Sequence, residues 1–264
     1  MRIHFILNDD FLLQNLMSEL SKTDIITSKN NEITTSIDLV VVGKNISENH
    51  PDLLKTNNLG LKNISFSEFI YEYFKNKTRV VIAGNDGKAH IIKMILHTMS
   101  FHNIPIDYWQ ESILSEKRLH IAENAEFVVI EGNEKNFSPL FPTPAFHSYH
   151  PTVALIGNIS TNENLDKYST FIDSITKGGI LIYNAEDTLL QEIVEDTTNP
   201  IRKLEYKTPH YQIDNQAIFL ITNEGELPLE NIDSQRVIDV EGAKWVCQNM
   251  GIDETDFYEA MVSF

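Results

Sequence analysis

Short apolar runs alternate with segments of helical periodicity from the first residues of this chain, and that alternation is what most restricts its fold. Continuous apolar runs suit strands buried on both faces, and parallel strands need crossovers of helical length between them. The pattern therefore specifies βαβ units and an α/β fold on mostly parallel sheet. Residues 3–7 read as the first buried strand, with Phe11, Leu12, Leu16 and Leu20 at helical spacing behind it. A second strand is expected over 38–43. Asn49 is then read as the cap of a helix carrying Pro51 early and ending at Gly60, and Ser67 as the cap of another running through Tyr71 and Phe74. The run 78–84 is the strongest strand signal and leads through a glycine-containing turn into a helix over 88–99. Further strands are expected over 127–131, 153–159 and 179–183, with helices over 166–175 and 189–194. Residues 211–221 alternate as an antiparallel strand before the turn Asn223-Glu224-Gly225. Two helices close the chain, over 241–250 and 255–264.

At 264 residues and 42% hydrophobic content there is room for one large or two small domains. The weakest pattern between strong strands falls at Lys75-Asn76-Lys77, which divides the chain into 1–76 and 77–264. Lys plus Arg number 21 against 38 Asp plus Glu, a formal charge of -17 that repels nucleic acid and anionic lipid. The single cysteine, Cys247, has no internal disulfide partner. No signal peptide and no bilayer-spanning stretch is read, so the expected setting is the cytoplasm, without nucleic acid or membrane as partner.

A turn between a buried strand and a helix invites phosphate, because free N–H groups and the helix dipole point at it. Here it reads Ala83-Gly84-Asn85-Asp86-Gly87-Lys88-Ala89-His90. A full phosphate-binding loop has Gly where Ile82 stands and Ser or Thr where Ala89 stands. Taken by itself, the motif also fits a tight βα turn with a solvated lysine. His147 and His150 form an H-x-x-H outside a convincing helix, which reads as packing rather than a zinc site. His90, His97 and His102 lie around one expected helix and are also assigned to packing. Cys247, on an amphipathic segment, reads as a buried hydrophobe.

Taken in order, several segments resemble the Mur ligase family, nearest the branch that joins L-alanine or a recycled tripeptide to UDP-N-acetylmuramate. They are Asp38-Leu39-Val40-Val41-Val42-Gly43, Asn49-His50-Pro51-Asp52-Leu53-Leu54, Leu59-Gly60-Leu61, Ser67-Glu68-Phe69 and Thr78-Arg79-Val80-Val81-Ile82-Ala83-Gly84. The likeness continues through Phe127-Val128-Val129-Ile130-Glu131-Gly132, Phe146-His147-Ser148-Tyr149-His150-Pro151 and Glu241-Gly242-Ala243-Lys244-Trp245-Val246-Cys247. It implies a Rossmann-like N-terminal domain over 1–76 and a central P-loop-like ATPase domain over 77–264. The family's C-terminal domain is expected to be absent, because the chain stops at Ser263-Phe264.

The family uses ATP and magnesium to make an acyl phosphate that an amine attacks, and the resemblance places vestiges of that site at Gly84, Gly87 and Lys88 for nucleotide and at Glu131 for metal. The departures fall on the same site. Ala89 lacks the hydroxyl that helps hold magnesium, and Asp86 adds a charge opposed to phosphate, worth about 4 kcal/mol at 4 Å and an effective dielectric of 20. Glu131-Gly132-Asn133-Glu134-Lys135 stands for the family's Glu-Gly-Asp-Glu-Tyr, the segment 157–164 lacks the Asp-His pair, and Gln235-Arg236 replaces a His-Asn pair. After the first strand, Leu7-Asn8-Asp9-Asp10 replaces the glycine-rich turn that admits the UDP diphosphate. The reading is a degenerate Mur ligase homologue with no ligase activity and no firmly held cofactor, serving a binding or regulatory role near peptidoglycan precursor metabolism. Its partner is then a small molecule in the interdomain cleft or another protein. The alternative is an ATP- and magnesium-dependent ligase acting as a fragment or split enzyme.

Overall fold

The computed structural model describes residues 1–112, 117–138, 140–159, 165–215, 217–223 and 225–264. Its N-terminal part runs β1 (Arg2–Ile6), α1 (Asp10–Leu20), β2 (Ile25–Thr27), β3 (Leu39–Val42), α2 (Pro51–Asn58), β4 (Asn63–Ser65) and α3 (Phe66–Phe74). The four strands pair in parallel in the order β2-β1-β3-β4. The chain leaves β1 toward one side and returns on the other, so the crevice between the ends of β1 and β3 is the switch point where such sheets accept ligands. Ile3, Phe5, Leu39 and Val41 face the large core that includes α1 and α3, while Ile6, Val40 and Val42 face a smaller cluster with Ile37, Ile46 and Leu53.

Two expected caps move. Pro51 occupies the first turn of α2, which puts the cap on His50, whose side chain accepts from the Asp52 N–H, rather than on Asn49. Ser65, not Ser67, caps α3 in a capping box with Glu68, and Ser67 is buried inside the helix.

The second part begins with β5 (Thr78–Ala83) and α4 (Lys88–Phe101), followed by β6 (Asp107–Trp109), β7 (Leu119–His120), β8 (Phe127–Glu131), and the hairpin β9 (Asn136–Ser138) and β10 (Phe141–Pro144). Then come β11 (Val153–Ile156), α5 (Asp166–Ser174), β12 (Ile180–Asn184), α6 (Thr188–Asp196) and β13 (Arg202–Tyr206). A three-stranded antiparallel sheet, β14 (Tyr211–Asp214), β15 (Ala217–Thr222) and β16 (Gly225–Leu229), precedes α7 (Val237–Asn249) and α8 (Glu254–Met261). Glu224, in the expected turn, lies outside the described residues.

The main sheet has the order β13-β12-β11-β5-β8-β6-β7 and is parallel except where β7 pairs with β6. Strand alternation divides its faces. Val80 and Ile82 enter a core with α4, α7 and α8, whereas Val81 and Ala83 enter one shared with Phe146, Tyr168, Phe171 and Leu190. Among the described residues no helix is long and apolar enough to cross a membrane.

Asn15 of α1 joins the two parts. Its amide accepts from the Arg118 and Leu119 N–H groups at 2.8 and 2.7 Å and donates to the Leu119 carbonyl at 3.0 Å. Beside it Glu19, almost wholly buried, accepts from Lys117 and from the Ile121 N–H.

Candidate functional site

The turn after β5 sits at the centre of the main sheet, beside the turn after β11. Gly84 has φ +119°, and a Cβ there would lie 3.0 Å from the Gly157 nitrogen. Gly87 has φ +85° and starts α4, with a hypothetical Cβ 2.5 Å from an Asp239 oxygen. Both positions demand glycine for conformation and for space. The turn therefore bends at both of its glycines.

Its occupant is a carboxylate of the same chain. Glu134 Oε1 accepts from the Gly84 N–H at 2.8 Å and from Lys88 Nζ at 2.8 Å, and its Oε2 lies 2.6 Å from Lys88 Nζ. The two side chains are only 15% and 9% exposed. A carboxylate between a loop N–H and the lysine, near the start of a helix, satisfies the same donors that a phosphate would. Lys88 is thus a paired, largely hidden cation and not the solvated lysine of a plain turn.

Asp86 departs from expectation as well. The sequence alone makes it an unbalanced charge, but Arg236 Nη2 donates to it at 2.8 Å and the Gly87 N–H at 2.9 Å. The Arg236 hydrogen bond, helped by the Gly87 N–H, holds its carboxyl below the usual range. Arg236 also reaches Asp239 at 3.4 Å, whose carboxyl burial pushes upward against that pairing. A second ion pair, joining α7 to the loop, thus lies beside the first.

Glu131 ends β8 and is 8% exposed, so it is not a carboxylate in free solvent. Its Oε2 accepts from the Glu111 N–H, the Ser112 N–H and the Ser112 hydroxyl at 2.7 to 2.9 Å. Three donors on one oxygen make it the anchor of the turn after β6. Glu131, Lys88, Asn85, Asn133, Glu134 and Glu111 line one cleft of ≈ 320 Å³, so the structure brings the expected metal and nucleotide residues together. Among the described residues no group of three or more His, Cys, Asp or Glu side chains is gathered to hold a metal ion. Residues 160–164, in the segment read as lacking the Asp-His pair, lie outside the described residues.

A second cavity, ≈ 150 Å³, opens at the switch point of the N-terminal sheet, between Leu7, Leu12, Phe66 and Trp109. Asp9 stands at its edge but is not an open negative charge. It caps α1 by accepting from the Leu12 N–H at 3.0 Å and pairs with Arg118 at 2.6 Å. Burial opposes its charge, yet the Leu12 N–H and the Arg118 guanidinium outweigh burial and keep the carboxyl below its ordinary range. Across the cavity Glu111 accepts from Lys44 at 2.8 Å and from Asn133 at 2.7 Å, linking this cavity to the loop cleft.

The remaining candidates are structural. His147 meets the Lys167 carbonyl at 2.7 Å and His150 packs its ring on Tyr71, so the two share no focus. His97 and His102 contact the Ala260 and Asp256 carbonyls and tie α4 to α8. Cys247 is fully buried, and burial pushes its thiol up to about 12. Arg79, absent from the sequence reading as a functional group, is 6% exposed and donates to the carbonyls of Lys75, Lys77, Tyr149 and His150. Glu134 was visible only as a retained glutamate of the motif, with nothing local to show where it turns.

No protein-family model matches the chain. It is similar to the UDP-N-acetylmuramate–L-alanine ligase of Carboxydothermus hydrogenoformans, with 22% identity over 92% of this chain and 55% of the relative. The corresponding enzyme of Desulforamulus reducens is 27% identical over 64% of this chain and 37% of its own length. The chain thus spans about half, or less, of the curated relatives it matches. Among solved structures it resembles the UDP-N-acetylmuramate:L-alanyl-gamma-D-glutamyl-meso-diaminopimelate ligase from Neisseria meningitides, with TM-score 0.82, 13% identity, and coverage of 100% of this chain and 98% of that one. UDP-N-acetylmuramate-alanine ligase from Thermotoga maritima gives TM-score 0.75 and 15% identity, covering 100% of this chain and 68% of that one.

Proposed function

We propose that this chain, a Mur ligase homologue in sequence and fold, is not an amide-forming ligase but a cytoplasmic binding or regulatory protein near peptidoglycan precursor metabolism. The observation that carries the reading is the Glu134 carboxylate on the Gly84 N–H and Lys88. A nucleotide phosphate brought to the same donors meets that carboxylate at contact distance, and Ala89 supplies no hydroxyl for magnesium. The residues present do not fit ATP with magnesium. The Arg236–Asp86 pair supports the same reading, since it joins the loop to α7.

At the switch-point cavity beside the N-terminal unit, taken as residues 1–76, the two cations are already paired: Lys44 of that unit to Glu111, and Arg118 of the second unit to Asp9. A cavity of ≈ 150 Å³ suits a ligand of about one ring, whereas drug-sized ligands need roughly 300–1,000 Å³. A small molecule there is the favoured partner, and a protein partner the second. The rival reading, an ATP-dependent ligase working as a fragment or split enzyme, draws on Lys88 and Glu131 sharing one cleft and requires Glu134 to leave the loop.

Calorimetric titration with ATP and magnesium separates the two. The expected dissociation constant is no tighter than ~1 mM, about -4 kcal/mol. Micromolar affinity overturns the non-ligase reading. UDP-N-acetylmuramate at high concentration is expected to leave the melting temperature unchanged, because Asp9 already takes the Leu12 N–H and Arg118; a ligand bound at 100 times its dissociation constant would add ~2.7 kcal/mol and show as a clear upward shift.

A further inference from the structure

Glu134 is placed at the loop by a segment that the N-terminal unit grips in two ways. The first is apolar. Glu134 leads into the β9–β10 hairpin, and Leu140 and Phe141 pack on the cluster of Ile6, Val40, Val42, Ile37, Ile46 and Leu53. That cluster belongs to the face of the N-terminal sheet opposite α1 and α3. The second is polar. Lys44, in the turn after β3, donates to Glu111 at 2.8 Å, and Glu111 accepts from Asn133 at 2.7 Å. Asn133 in turn accepts from the Lys135 N–H at 2.9 Å and its carbonyl accepts from the Phe146 N–H at 3.2 Å, so Glu134 is bracketed by residues fixed on both sides.

We propose that Glu134 is an autoinhibitory latch, closed only while the N-terminal unit holds Asn133 on one side of it and Leu140 and Phe141 on the other, so that the state of the N-terminal unit decides whether Lys88 and the Gly84 N–H are open to a phosphate-class anion. The inference rests on the reading that the loop is closed in this protein and adds what controls the closure. An internal carboxylate competes with an anionic ligand for the same donors, so withdrawing it exposes a lysine and a loop N–H with no other change in the fold. Anything that loosens either grip, including a molecule in the switch-point cavity that Lys44 and Glu111 both line, shifts the latch toward open.

The test reads Lys88 directly. Its acylation rate is followed by mass spectrometry in the whole chain, with the remaining lysines as internal controls. Binding of inorganic tripolyphosphate is followed in parallel by calorimetry. Glu134→Gln is expected to raise Lys88 labelling and tripolyphosphate affinity at least tenfold. Lys44→Ala, at a side chain that is 52% exposed and safe to truncate, and Phe141→Ala are expected to raise Lys88 labelling at least threefold without touching the loop. The proposal is overturned if Glu134→Gln leaves Lys88 labelling unchanged. It is equally overturned if Glu134→Gln opens the loop while Lys44→Ala and folded Phe141→Ala both keep the wild-type rate, for then the contact is a local plug without control. Micromolar binding of ATP with magnesium to the wild-type chain removes the non-ligase reading instead, whatever the variants do.

Discussion

Lys88→Met distinguishes a lysine that waits for a ligand from one that holds the fold. At 2.6 Å and an effective dielectric of 20 the gross attraction between Lys88 and Glu134 is about 6 kcal/mol, most of which the desolvation of two largely hidden charges cancels. Deleting one partner is a different quantity, because it leaves the other charge buried and unpaired. Such deletions cost about 3–5 kcal/mol in full burial, and the remaining exposure of 15% and 9% lowers the expectation to about 3 kcal/mol. Unfolding entropy of about 2.1 cal/mol/K per residue gives roughly 0.55 kcal/mol/K for this chain, so the melting temperature should fall by about 5 °C. Lys88→Met with Glu134→Gln together should fall by less than the sum of the singles, with a coupling of at least ~1.5 kcal/mol in urea unfolding. A cooperative transition seen alike by circular dichroism and tryptophan fluorescence licenses the cycle. In a loop built to receive nucleotide, loss of the lysine lowers affinity for ligand and hardly changes the empty protein. If Lys88→Met melts within about 1 °C of wild type, the ion pair does not hold the loop and the argument for an occupied site fails.

Three further outcomes follow from other residues. Arg79→Ala leaves the carbonyls of Lys75, Lys77, Tyr149 and His150 without their donor and is expected to cost at least ~3 kcal/mol by urea denaturation; Arg79→Lys should recover little of it, since one ammonium cannot span that set. His4 is fully buried, and burial lowers its pKa below 6.5, so its neutral form stabilises the fold fully above pH 6.5 and that contribution is lost as pH falls from 6.5 through the lowered folded value. His147 shifts in the same direction through burial, and melting curves from pH 7.5 to 5 should show His4→Leu removing part of the decline and not all of it. Asp239 shifts the other way: burial raises its carboxyl, so its contribution is favourable below the unfolded value of 3.8 and is lost as pH rises through the folded one. Asp239→Asn should therefore melt higher than wild type at pH 7, with the advantage shrinking toward zero as pH falls below 4.

The strands at the centre of each sheet were legible because burial on both faces forces continuous apolar runs, as in Val80, Val81, Ile82 and in Val128, Val129, Ile130. The strand, glycine turn and helix from Thr78 to Phe101 appear in the structure nearly as read. Edge strands were not legible. β13 reads Arg-Lys-Leu-Glu-Tyr and β2 has three partly exposed residues, so neither carries a period that separates it from loop. At the site, the glycines and Lys88 could be found because their roles are local to one turn. The partners of the charges could not: Lys88 and Glu134 stand 46 residues apart, and Asp86 and Arg236 stand 150 apart. A sequence shows that an acidic residue is present and does not show whether it opposes a ligand or pairs with an arginine.

Two turns from which the resemblance implies anion binding share one physical arrangement. After β1, Asp9 takes the α1 N-terminal N–H of Leu12 and pairs with Arg118; after β5, Glu134 takes the Gly84 N–H and pairs with Lys88. In each case a carboxylate of the chain satisfies a backbone donor beside a helix start, and a cation of the chain neutralises the carboxylate. Simple decay of a ligand site predicts something else, namely a lysine released to solvent, glycines replaced once no ligand needs the close approach, and no matching partner. Here Gly84 and Gly87 stay in conformations that only glycine adopts readily, and Lys88 is held at 2.6 Å. Paired replacement of this kind keeps both glycine bends, each of which loses more backbone freedom on folding than another residue would. On the function proposed above, a side chain of the protein stands at this loop where the family resemblance implies phosphate, and the loop's role is to be sought in what moves that side chain.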